Sequence, residues 1–394
     1  MARLTTKAWR WIERIERKRE QGVGEDEREG EEKGSALCGF QDSRTALGFQ
    51  MVCRRAIWKL WWIPFLISFS GVLGQEILLP RGGNGVFGAT AAESSCPSPD
   101  PSLYYRPVIG IVTHPGDGAS GRLSNATNAS NIPASYVKFV ESAGARIIPL
   151  IYNEPWEVIL DKLSLVNGVL FTGGWCKRGL YFETVKKIFQ ITLDRNDAGD
   201  HFPLFGICLG FELISMIITK DNNFCERFSG EDQASTLEFP DHVNMQGSVF
   251  ERFPSELLKK LSTDCLAMQN HMFGISPKSL QENDALSSFF RILTTSTDAN
   301  GEVYVSTAQA YNYPVTGFQW HPEKNAFEWG LPMIPHSEDA IRVTQHIANY
   351  FISEARKSSN RPSARKVLDN LIYNYSPTYG GKAGKGYDEV YIFT

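Results

Sequence analysis

The sequence is poor in the residues that build metal centres. Of 394 residues only 7 are cysteine and 7 histidine, and no C-x-x-C or Cys/His cluster has zinc spacing. No metal is therefore expected. An excess of positive charge is also missing: Lys+Arg 40 stand against Asp+Glu 44, for a net charge of -4. With no global field to attract nucleic acid, no nucleic-acid partner is expected. No apolar stretch reaches the roughly 20 residues of a spanning helix. The most apolar run, Leu60–Leu73, is shorter and contains Pro64. Internal repeats are absent, which excludes a solenoid or propeller. What is present is an ordinary globular composition, 42% hydrophobic and 12% aromatic, sufficient for a sizeable core.

The composition changes along the chain. Residues 1–50 begin with a run dominated by Arg, Lys, Glu and Asp, and read as a disordered charged extension. Residues 51–74 read as a signal peptide: Met51, the basic Arg54-Arg55 and Lys59, the run Leu60–Leu73, and small Val72 and Gly74 before a cleavage point. Translation is accordingly expected to start at Met51, with residues 1–50 absent from the native protein; an uncleaved signal anchor is the alternative. Residues 75–105, rich in Gly, Ser and Pro, form a linker or pro-segment ahead of a catalytic domain at 106–358 and a tail at 359–394 that packs on it. Asn125 and Asn128 begin adjacent N-glycosylation sequons, and Asn374 begins a third that is weakened by Pro377. These features predict passage through the secretory pathway to a vacuole or the cell exterior, with no stable membrane insertion after processing. Beyond the signal lie Cys96, Cys176, Cys208, Cys225 and Cys265, an odd number that leaves at least one without an intrachain partner.

From Pro107 strands alternate with helices. Strands are predicted at Val108–Thr113, Arg146–Ile151, Gly168–Phe171, Pro203–Ile207 and Pro314–Gln319, and helices at Ala134–Ala143, Trp156–Leu165, Tyr181–Asp194 and Leu209–Ile218. The order implies an α/β fold with a mainly parallel central sheet and helices on both faces. Phe289–Gln319, with its β-branched runs and turn residues, predicts some antiparallel strands in the C-terminal part.

Three segments carry chemistry. Gly206-Ile-Cys208-Leu-Gly210 joins an apolar strand to an apolar helix. A nucleophile at such a sharp turn needs flanking glycines, and the helix N-terminus beside the sulfur is expected to lower its pKa. Trp320-His321-Pro322-Glu323 follows a second strand, so that His321 points into the crevice at the carboxyl ends of the strands. Glu323 is then placed to fix its tautomer. Phe171-Thr-Gly173-Gly174 ends a third strand. A backbone N–H of Gly173 or Gly174, with that of Leu209, could form an oxyanion hole.

Together the motifs F-T-G-G, G-I-C-L-G and Q-W-H-P-E, in this chain order, resemble the class I glutamine amidotransferase fold. The stretches PVIGIVT, ASYVKFVESAGARIIP, FPLFGICLGFELIS and YPVTGFQWHPEKNAFEW resemble, more narrowly, the gamma-glutamyl hydrolases that trim folylpolyglutamates. The resemblance runs from about Pro107 to Ser358. It implies a cysteine peptidase with Cys208 as nucleophile, His321 as proton donor, Glu323 as its orienter and His271, after Asn270, as a second active-site histidine. It also implies a γ-glutamyl peptide such as a folylpolyglutamate as substrate, cleaved through a thioester without a cofactor. Lys177 and Arg178 are candidate cations for the substrate's α-carboxylates, and a homodimer is compatible with the reading. One rival is a glutaminase subunit of an amidotransferase, which typically carries Gln where Glu212 stands; another is a secreted binding protein without activity.

Overall fold

A computed structural model describes residues 98–241, 243–381 and 387–394. The charged extension, the signal peptide, the Met51 start, Cys96 and most of the linker lie outside the described residues. Seven strands form the central sheet: β1 (Val108–Val112), β4 (Arg146–Leu150), β5 (Gly168–Phe171), β6 (Leu204–Ile207), β9 (Phe290–Thr297), β10 (Val303–Ala310) and β11 (Val315–Phe318). Their spatial order is β4-β1-β5-β6-β11-β10-β9. Every pair from β4 to β11 is parallel, and the last two pairs are antiparallel. The expected mainly parallel sheet with antiparallel strands near its C-terminal end is thus the one observed.

The sheet is covered on both sides because its strands are apolar on both faces. In β1, Ile109 and Ile111 belong to one core cluster and Val108 and Val112 to the other. Such continuous apolar runs suit a parallel strand buried between two helical layers. On the first side pack α1 (Ala134–Ser142), through Tyr136 and Phe139, and α6 (Glu338–Ala355), through Val343, Ile347 and Phe351. Phe351 stacks on Phe205 of β6 with ring centroids 4.1 Å apart. The opposite side carries α2 (Trp156–Leu163), α3 (Gly179–Asp197) and α4 (Leu209–Thr219). A further helix, α5 (Ser255–Thr263), packs Leu257 and Leu261 into the first cluster.

Two smaller sheets were not foreseen. A two-stranded antiparallel sheet of β7 (Glu226–Ser235) and β8 (Ala267–Gly274) carries irregularities near Gly230, and it holds His271. The other sheet joins β2 (His114–Pro115), β3 (Ser130–Pro133), β12 (Thr378–Tyr379) and β13 (Glu389–Phe393) in the order β12-β13-β3-β2. Here the end of the chain pairs antiparallel with β3, so the tail is stitched to the segment that follows β1.

The loop between β2 and β3, which bears Asn125 and Asn128, is organised by one carboxylate. Asp117 accepts the backbone N–H groups of Ala119 and Gly121 on one oxygen and of Leu123 and Ser124 on the other, at 2.8–2.9 Å. Burial pushes this carboxyl up, but the four N–H donors outweigh it and bring its pKa down to about 2. That value lies below the roughly 3.9 of an unfolded Asp. Its contribution to stability is therefore complete above about pH 4 and is lost as the pH falls through about 2. Asp117→Asn is expected to lower urea-unfolding stability at pH 7 and to flatten its decline between about pH 4 and 2. Equal curves for both proteins at pH 7 and pH 3 would show that the carboxylate does not hold the loop.

Candidate active site

At the end of β6 the chain turns abruptly into α4, and Cys208 sits at the turn with φ 51° and ψ -107°. A non-glycine residue with such a positive φ is strained by about 1–3 kcal/mol. The surroundings leave it little freedom. Its N–H donates to Phe318 O at 2.6 Å, tying the turn to β11. A side chain at Gly206 would place its Cβ 2.9 Å from the Gly210 backbone, and one at Gly210 would meet Phe171 O at 2.5 Å. The two glycines thus let β5, β6 and α4 close around the cysteine.

His321 follows β11, and its backbone N–H donates to Met268 O of β8 at 2.8 Å. Its Nδ1 is 2.8 Å from Glu323 Oε1, with both side chains buried. A carboxylate accepts, so Nδ1 carries the proton and Nε2 is left as a base. Nε2 is buried and has no hydrogen-bond partner among the described residues. Burial opposes a charge on Glu323, but the His321 ring and then Lys324 overcome it and hold the carboxyl below its usual range.

Gly173 marks the meeting point. A Cβ added there would lie 2.8 Å from Tyr136 Oη, 2.9 Å from His321 Cε1 and 3.5 Å from Cys208 Cβ. The Gly-Gly loop, the cysteine and the histidine, separated widely in sequence, converge on one spot. Of the two glycine amides, that of Gly173 donates to Tyr136 Oη at 2.9 Å. The Leu209 N–H interacts with the Cys208 thiol.

His271 lies on β8, with its Nε2 against Gly230 and its ring edge-on to Tyr304. The neighbouring Asn270 O lies 4.0 Å from Cys208 Sγ. His271 Nδ1 donates to Phe273 O at 2.9 Å, which leaves a buried Nε2 with no partner among the described residues. Burial, reinforced by the His321 ring, lowers its pKa to about 4.

The expected lowering of the thiol pKa is not what the site produces. Burial pushes the Cys208 thiol up, and the charge of Glu212 adds to this, while the Leu209 N–H opposes it only in part. The helix N-terminus is outweighed because Cys208 is buried, only 5% exposed, and the Glu212 carboxylate lies one helical turn behind it. Lys177 is not a free cation either. Its Nζ is 2.5 Å from Glu212 Oε2 and 3.8 Å from the Phe273 ring centroid, whereas Arg178 is exposed. Gln319 donates to the other Glu212 oxygen at 3.2 Å.

Two aromatic residues near the site were missed by the sequence reading. Tyr136 stands inside an amphipathic helix and looked like core. Tyr387 comes from the tail, with Lys324 Nζ 4.6 Å from its ring centroid. Tyr387 helps line a cavity of about 440 Å³ beside Gly173 and Gly174, along with His114, Asp117 and Trp175. No sequence motif marks either tyrosine.

Residues 107–323 match the Peptidase C26 family. The chain belongs to that family. It is similar to gamma-glutamyl hydrolase 2 of Arabidopsis thaliana, 62% identical over 345 residues, 86% of this chain and 98% of the relative. It is 60% identical to gamma-glutamyl hydrolase of Glycine max over 300 residues, 76% of this chain and 88% of that one. The gamma-glutamyl hydrolase of Homo sapiens is 34% identical over 315 residues, 78% and 95% of the two chains. Among solved structures, a glutamine amidotransferase from Thermotoga maritima matches with a TM-score of 0.36 and 14% identity, over 64% of this chain and 99% of that one.

Because a methyl at residue 210 would press on a main-chain oxygen rather than on a yielding side chain, Gly210→Ala is expected to disturb the Cys208 turn. Overpacking of this kind costs about 1–3 kcal/mol. Thermal unfolding and alkylation of Cys208 by iodoacetamide should both change. A variant that matches the parent in both measurements would show that the turn has room to spare.

Proposed function

We propose that this member of the family hydrolyses γ-glutamyl bonds, with folylpoly-γ-glutamates and related γ-linked glutamate peptides as substrates, and so sets the length of polyglutamate chains. The observation that carries the reading is the convergence of the strained Cys208, the unpartnered Nε2 of His321 and the Gly173-Gly174 loop on one point. The relatives named above carry this activity in their names.

In the proposed reaction the Cys208 thiol gives its proton to His321 Nε2 as sulfur attacks the γ-carbonyl. Burial raises the thiol's pKa, so the proton leaves through this base and not to solvent. The Glu323 carboxylate stabilises the imidazolium that results. The oxyanion is received by the Leu209 N–H and the Gly174 N–H, since that of Gly173 is given to Tyr136. Collapse breaks the C–N bond, the departing amine takes from His321 the proton that came from the thiol, and a γ-glutamyl thioester is left. Water, deprotonated by the same nitrogen, then attacks the thioester and releases the free γ-carboxylate and the thiol. His271, neutral above about pH 4, keeps a second unprotonated nitrogen, its Nε2 facing Gly230.

A glutaminase reading is less well supported, because the Glu212 charge is engaged by Lys177 where such subunits carry Gln. We also propose secretory passage, with residues 51–74 as the signal and Asn125 and Asn128 as glycosylated sites; both asparagines are exposed. Asn374 is exposed too, but its amide donates to Leu368 O and Asp369 O, and a glycan would take one of these two hydrogens.

Substrate geometry supplies the test. In an α-linked peptide the scissile carbonyl sits beside the α-carbon, displaced relative to the oxyanion donors, and an error of about 1 Å costs roughly a hundredfold in rate. Offered γ-triglutamate, α-triglutamate and free glutamine, the enzyme should cleave the first and leave the second nearly untouched. Glutamine should be poor, because it lacks the leaving residues that supply binding energy. Comparable rates on the α-linked peptide would overturn the bond specificity, and glutamine as best substrate would favour a glutaminase.

A further inference from the structure

His114 lies outside the catalytic constellation described above, yet its buried ring is bound on every side. Its Nδ1 is 2.8 Å from Pro115 O, an acceptor, so this nitrogen carries the proton. Nε2 is therefore a bare acceptor, and it receives two backbone donors, the N–H of Trp175 at 3.0 Å and of Cys176 at 3.2 Å. Both belong to the turn that follows Gly173-Gly174. The Trp175 and Tyr181 rings pack edge-on against the imidazole at 5.2 and 5.3 Å. At Gly174, φ is 154° and an added Cβ would overlap the His114 ring, so the loop backbone lies directly on the imidazole.

We propose that His114 is a positioning residue for γ-glutamyl hydrolysis: its Nε2 gathers the Trp175 and Cys176 amides and thereby sets the peptide planes of the Gly173-Gly174 loop against Cys208. The inference rests on the functional reading above. An acceptor is needed there because the turn presents two successive N–H groups to one buried point, and a group without a lone pair would leave both unsatisfied. Burial favours the neutral ring the geometry requires and brings its pKa down to about 4. Glutamine can replace both functions, since its amide oxygen accepts where Nε2 does and its amide nitrogen donates where Nδ1 does. Phenylalanine keeps the ring shape and edge contacts but has no lone pair.

The test compares His114→Phe and His114→Gln with the parent on γ-triglutamate. In the Phe variant kcat should fall by about tenfold or more with KM little changed, as for an interaction realised in the transition state. The Gln variant should recover most of that loss. Iodoacetamide alkylation of Cys208 should be alike in all three, and the Trp175 and Cys176 amides should exchange with deuterium faster in the Phe variant only. His114→Leu, which also lacks an acceptor, serves if the Phe protein does not fold. A folded variant without an acceptor that retains the parent's kcat, or a Gln variant as slow as the Phe variant, overturns the proposal. A parent inactive on γ-linked peptides would instead refute the functional reading, and amide exchange would still decide what His114 holds.

Discussion

The backbone at Cys208, with φ 51° and ψ -107°, requires unusual accommodation, and much of the site can be traced to it. Holding a side chain in that conformation costs about 1–3 kcal/mol, which the surrounding sheet must supply. The turn ends a central strand paired on both sides: Phe171 stands opposite Gly206, and Phe318 opposite Ile207. The cysteine N–H is locked onto Phe318 O. The glycines at 206 and 210 follow from this closeness, and so does the position of Gly173, which has room only for hydrogen where Tyr136, His321 and Cys208 meet.

Electrostatics complete the arrangement. The thiol is buried near the Glu212 carboxylate, both of which favour the protonated form. Glu323, fully buried, lies against His321 Nδ1 and leaves Nε2 without a partner among the described residues. The Lys177–Glu212 pair moderates the charge behind the sulfur while tying the Gly-Gly loop to α4.

The sequence was most legible where geometry forces composition. Glycines two residues either side of Cys208, and a His-Pro-Glu segment after an apolar strand, each reflect a local steric or hydrogen-bonding demand, and their elements lie where periodicity put them. The strands around them were readable because burial on both faces yields unbroken apolar runs. What stayed hidden depends on contacts distant in sequence. The β7–β8 pair is mostly polar in β7 and carries irregularities, so its pattern is weak, and His271 has no local signature. The Tyr136 hydroxyl and His114 Nε2 find their partners in the Gly173–Cys176 segment, distant from both in sequence. Tyr387 arrives through pairing of the tail with β3. The thiol pKa was misjudged because the helix terminus is visible in sequence, whereas the extent of burial is not.

The central claim is that a γ-glutamyl group is held on Cys208 between two steps, and partitioning measures this most directly. Substrates that share one γ-acyl group but differ in their leaving amine would be turned over in the presence of hydroxylamine, and the ratio of γ-hydroxamate to free acid recorded for each. A common thioester forgets its leaving group, so the account predicts one ratio for all substrates at a given hydroxylamine concentration and neither product from Cys208→Ala. A ratio that changes with the leaving amine, or hydroxamate formed by the Cys208→Ala protein, would contradict it.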